Sequence, residues 1–130
     1  MNSEALLLSL ECGGRIVVPR VRRARGFLGR TLGLMGRPDF PPGEGLWLSP
    51  CGAIHTCFMR FAIDAVFLDR DERVVRVATH IKPWRCCSGG RGAASVVETR
   101  AGGLDPAGLP IGAAVRWIPI SFGAAAAPGK

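Results

Sequence analysis

Residues 54–69 read IHTCFMRFAIDAVFLD, an apolar run into which His55, Cys57, Met59, Arg60 and Asp64 are set. On a β-strand successive side chains point to opposite faces, so His55, Cys57 and Met59 would share one side. Imidazole, thiol and thioether together suit a soft ion such as Cu(I). Cys and Met are also ordinary core residues, and no second cluster of ligand-spaced donors accompanies them. Asp64 stands between Ile63 and Ala65. Its carboxylate therefore either reaches water at a strand entrance or is buried beside a partner that offsets desolvation. His55, His80, Arg30 and Arg60 are the candidate partners. A His55/Asp64 pair could exchange protons with substrate in a small hydrolase or isomerase. A structural ion pair uses the same residues and is favoured, because no G-x-S-x-G elbow or separate Cys/His motif supplies a nucleophile.

The chain also lacks a Walker loop, a Rossmann G-x-G-x-x-G and an H-E-x-x-H helix. The glycine-rich SGGRGAAS, residues 88–95, could present backbone amides and Arg91 to an anion, but no lysine follows as in a phosphate loop. Trp84, within KPWRCC, is expected either in a pocket wall or at the rim of a sheet. A polar cluster without a nucleophile points to a non-enzymatic binding module for a small ligand or protein partner. His55, Arg60, Asp64 and Trp84 are its candidate binding residues, and no cofactor is expected.

The elements that must position these residues read as mainly β. ALLLSLECGGRIVVP predicts two strands turning at Gly13 and Gly14, with Pro19 ending the pairing. LWLS, AIHTCFM, DAVFLD, RVVRVATHI, ASVVETR and AVRWIPI are short, β-branched or aromatic segments divided by turn residues such as Asp69–Glu72. Phe58, Val66, Phe67, Val75 and Val97 are expected in the core. Val21, Ala24, Leu28, Leu32 and Met35 recur at helical spacing and predict one short helix over about residues 21–33. Asp105 and Pro106 predict a single helical turn between the last two strands. The 130 residues are read as one domain over 1–120, with a disordered tail at 121–130.

The net charge of +7 is carried almost wholly by arginine, since Lys82 and Lys130 are the only lysines. RVRRARGFLGR, residues 20–30, concentrates it, making Arg20, Arg22, Arg23 and Arg25 the nucleic-acid candidates. There is no Tyr and only Phe27 in that stretch, so weak, sequence-independent association is the most that it predicts. A GC-rich coding sequence accounts equally well for arginine, alanine and glycine abundance. Five cysteines, without a C-x-x-C pair or an export signal, are expected as thiols in a cytoplasmic protein that does not enter a membrane. Adjacent Cys86 and Cys87 would form a strained ring if bridged.

RTLGLMGRPDF, IHTCFMRFAIDAVFLDRDERVVRV, KPW, ASVVETRAG and GLPIGAAVRW follow one another in this order. On these motifs, chiefly Gly33–Arg37 and Met59–Asp69, the chain resembles the prokaryotic family called domain of unknown function 192 over about residues 15–117. The resemblance implies a compact, mainly β (α+β) domain, barrel-like, with an antiparallel or mixed sheet and a short helical insertion. It implies no established reaction, substrate or catalytic residue. Cys57 stands where the family tends to have a bulky or aromatic residue, so the His55/Cys57/Met59 face does not carry over as a shared metal site.

Overall fold

The computed structural model describes residues 7–24, 41–57 and 59–120. Within them the strands are β1 (Leu7–Cys12), β2 (Arg15–Ala24), β3 (Glu44–Leu48), β4 (Ala53–His55), β5 (Ile63–Leu68), β6 (Val74–Ile81), β7 (Cys86–Ser88), β8 (Ser95–Arg100) and β9 (Val115–Pro119). Seven of them form one sheet in the order β6-β5-β8-β3-β2-β1-β9, and β4 pairs with β7 alone. Within the larger sheet only β2 and β3 run parallel, so it is mixed.

The mainly β expectation holds, whereas the barrel does not, and no helix begins at Val21. Residues 21–24 end β2, hydrogen-bonded to β1 on one side and β3 on the other; residues 25–33 of the expected helix lie outside the described residues. Val21 and Ala24, spaced as if on one helical stripe, instead serve the two opposite apolar layers of the sheet. Pairing also does not stop at Pro19. Leu8 and Leu10 of β1 face Val21 and Val18 of β2, so a bulge around Pro19 absorbs an extra residue and the ladder continues to Arg22. The sheet is not closed: its order ends at β6 and β9, which among the described residues approach at the Arg73–Ala114 bridge and the hydrogen bonds beside it, Val115 N–H to the Glu72 carbonyl and Val74 N–H to the Ala113 carbonyl. The expected 121–130 tail and Phe58 lie outside the described residues.

Gly13 and Gly14, at φ +64° and +83°, make the β1–β2 turn in the left-handed region that glycine occupies without strain. Asp105 caps a 3-10 turn at Pro106–Gly108, its side chain accepting from the Ala107 amide at 3.0 Å. Strand β5 is buried at every position because both its faces are covered. Val66 and Leu68 join Val21, Val97, Leu109 and Val115 on one side. Ile63, Ala65 and Phe67 join Leu46, Leu48, Ile54, Met59 and Val96 on the other. Of the expected core, Val66, Phe67 and Val97 are fully buried and Val75 is half-buried.

The second layer is where the small β4–β7 sheet docks. Ile54 and Cys87, directly paired across it, turn into the apolar layer over Phe67. A Cβ on Gly89, just past β7, would stand 2.5 Å from the Phe67 ring, so the absence of a side chain there permits the close approach.

Candidate functional site

AIHTCFM does not continue as a strand past His55. The chain turns at Thr56, which is fully buried, and this turn builds the neighbouring one. Thr56 Oγ1 donates to the carbonyl of Lys82 at 2.7 Å and accepts from the Arg85 amide at 2.8 Å. Its backbone N–H donates to the Arg85 carbonyl and its carbonyl accepts from the Trp84 amide. The 82–85 turn is thus stapled on four bonds, including one to Trp84, whose φ of +65° needs such support.

Asp64 fixes the other end of the same segment. Its carboxylate is completely buried and among the described residues meets neither histidine ring nor arginine, the candidate Arg30 lying outside them; it accepts from three backbone amides, His80 at 2.8 Å, Gly102 at 2.9 Å and Leu104 at 3.2 Å. Such charge-assisted bonds replace the water lost on burial. His80 sits at φ +55°, where β6 slips register against β5, and the redirected amide is the one that Asp64 takes up.

Between these two anchors, the end of β6, the 82–85 turn and β7 border an open groove of about 500 Å³. Its walls carry Arg76, His80, Lys82 and Arg85, with Cys86 and Cys87 on the β7 side and no carboxylate among the described residues that line it. Arg76 donates from Nη1 to the Ser88 carbonyl, tying β6 to β7 across the floor. The arrangement places basic side chains along one opening and gives it a positive potential that suits an anion.

A carboxyl that the sequence reading passed over lies deeper on the same sheet face. Glu98 pairs with Ala65, and Ala65 with Ala78 of the groove wall, which puts Glu98 two strands inward, roughly 10 Å by strand spacing. It is 5% exposed and has no hydrogen-bond or ion-pair partner among the described residues; burial raises its pKa from 4.5 to about 7. The signal was present in ASVVETR: a carboxylate inside a β-branched run poses the same desolvation question as Asp64. Thr56 carried no comparable signal.

The other sequence candidates are dispersed. Asp64 alternates with Ile63 and Ala65 and so faces the first layer, whereas β4 lies over the second; the sheet separates Asp64 from His55. His55 is exposed, with Nδ1 accepting from the Cys57 amide at 3.3 Å. Cys57 is half-buried, Met59 is buried in the second layer, and Arg60 is exposed, so the turn at Thr56 breaks the single His55/Cys57/Met59 face. Among the described residues no group of three or more His, Cys, Asp or Glu side chains is arranged to hold a metal ion. Trp84, 58% exposed, stands beside the groove on its turn. Arg20 pairs with Glu44 at 3.8 Å, Arg23 lies over the Trp47 ring at 5.0 Å, and Arg22 points to the face opposite Arg23; Arg25 lies outside the described residues.

Fold and site together define a small domain built on an open, mixed β-sheet, with a two-stranded flap and a basic groove between flap and sheet edge. The chain belongs to the DUF192 family, described as an uncharacterized ACR family, whose model matches residues 9–117. It is similar to a UPF0127 protein of Pyrococcus furiosus, 33% identical over 109 residues that cover 80% of this chain and 91% of the relative. Two crystal structures share the fold. One is a protein of unknown function from Novosphingobium aromaticivorans, with a TM-score of 0.73 at 21% identity over 87% of this chain and 85% of that one. The other, from Sinorhizobium meliloti, is described as a candidate transcription regulator, with a TM-score of 0.74 at 19% identity over 90% of this chain and 96% of that one.

Proposed function

We propose that this domain is a non-enzymatic binding module whose groove between β6 and β7 holds a small anionic ligand with carboxylate or phosphate groups. The observation that carries the reading is that Arg76, His80, Lys82 and Arg85 line one open groove with no carboxylate among its described lining residues. Trp84, exposed on the same turn, offers an apolar edge to the rest of the ligand. Asp64 then acts as a positioning residue, holding His80 from the far face of the sheet, and Thr56 holds Lys82 and Arg85. The hydrolase or isomerase alternative needs His55 beside Asp64, and the geometry that separates them gives it no support. The description of the Sinorhizobium protein raises nucleic acid as a partner, but Arg20, Arg22 and Arg23 are divided between two faces and an ion pair, which favours the groove over that strand.

The test is calorimetric titration of the protein with inorganic phosphate, pyrophosphate and citrate at low ionic strength. Saturable one-site binding is expected, weakened at least about tenfold in Lys82→Ala/Arg85→Ala, which removes two charges from exposed side chains. Absence of binding at millimolar anion, or binding unchanged by that pair of substitutions, would refute the proposal.

A further inference from the structure

The five cysteines differ sharply in what surrounds them. Cys12 is buried, Cys51 donates its S–H to the Ala53 carbonyl at 3.0 Å, and Cys57 is half-buried. On β7 the alternation of the strand divides the adjacent pair: Cys87 turns into the second apolar layer, and Cys86 is the exposed thiol, on the wall of the groove. Directly across the two-stranded sheet from Cys86 is His55, also exposed. Side chains of directly paired residues share a face, with Cβ atoms roughly 5 Å apart. Because Nδ1 of His55 accepts from the Cys57 amide, Nε2 is left to carry the ring proton and can donate to an anionic sulfur beside it.

We propose that Cys86 is a site of mixed-disulfide formation with small disulfides that carry carboxylates, which the groove's cations concentrate at its sulfur. The inference rests on the anionic-ligand reading of the groove and adds a covalent step to it. The Cys86 thiolate attacks one sulfur of R–S–S–R. A Cys86–S–R bond forms as the R–S–S–R bond breaks, the departing R–S⁻ takes up the proton that Cys86 released, and the disulfide is itself the oxidant. Lys82 and Arg85 hold the carboxylates and His55 faces the reacting sulfur. Cys87, turned into the apolar layer, is not positioned to resolve the adduct, so the modification persists until an external thiol reverses it.

The experiment compares oxidised glutathione with the neutral 2-hydroxyethyl disulfide on the native chain, read by intact mass and peptide mapping. One glutathione adduct per chain is expected, on Cys86, and the rate preference for the anionic reagent should fall about tenfold in Lys82→Ala/Arg85→Ala and shrink with added salt. Cys86→Ser should abolish the adduct, and phosphate titration of the unmodified chain under reducing conditions, run alongside, separates failure of the thiol from failure of the groove. Adducts distributed over Cys57 and Cys87, or an anionic preference that survives the double substitution, would overturn the proposal.

Discussion

At the scale of single residues, two buried carboxyls on neighbouring strands have opposite characters. Asp64 is satisfied by three amides, so Asp64→Asn puts an NH₂ group where acceptors are needed. The expected loss is about 3 kcal/mol, measured by urea unfolding, because buried N–H donors are left without a partner. His55→Ala, an exposed truncation, should change stability by no more than about 0.5 kcal/mol in the same assay. Glu98 behaves in the reverse sense. Its folded-state pKa of about 7 lies above the ordinary 4.5, so the folded state retains a proton that the unfolded chain gives up. Stability is therefore full below about pH 4.5, declines as pH rises between the two values, and levels off above pH 7 after a loss of order 3 kcal/mol. Unfolding curves of Glu98→Gln should lack this decline while keeping the rest of the pH profile. A Glu98→Gln profile parallel to that of the unmodified chain would show that the carboxyl is ionised throughout.

At the scale of elements, the groove depends on the docking of β7 and on the staple at the 82–85 turn. Thr56→Val keeps the shape but removes a hydroxyl that both donates and accepts. It should cost about 1–3 kcal/mol and accelerate hydrogen exchange at the Arg85 amide before it affects β5 or β8. Gly89→Ala drives a methyl into the Phe67 ring and should destabilise by about 1–3 kcal/mol through displacement of β7. Both variants are expected to weaken phosphate binding without touching any of the groove's charges, and a calorimetric titration equal to that of the original chain would contradict the structural account of the turn.

At the scale of the molecule, the described arginines of β2 do not share one surface. Arg23 is engaged with Trp47, itself stacked on Trp117 at a ring separation of 4.2 Å, and Arg20 with Glu44. Filter binding or fluorescence anisotropy should therefore find only weak association with DNA or RNA, independent of sequence and falling steeply between low and physiological salt, since phosphate neutralisation would supply nearly all of it. A complex that survives physiological salt and discriminates among sequences would require a surface other than β2. Across the described residues no helix is long and apolar enough to cross a membrane.

What the sequence determined by itself was local. The β rhythm, the Gly13–Gly14 turn, the Asp105 cap and the burial of Val66, Phe67 and Val97 all follow from residue type and near neighbours. The motifs from Gly33 to Trp117 also sufficed to indicate the family. The tertiary structure decided everything that depends on distant backbone. Asp64 finds its partners 16, 38 and 40 residues away, and Thr56 its own 26 and 29 away, in each case at main-chain atoms that every sequence possesses and none advertises. Bulges and turns decided the faces. One extra residue at Pro19 changes which side chains enter the core, and the turn at Thr56 dissolves the His55/Cys57/Met59 row. Side-chain direction in a sheet reverses with each residue, so a pattern legible along the chain is assigned to a surface only when pairing sets the register.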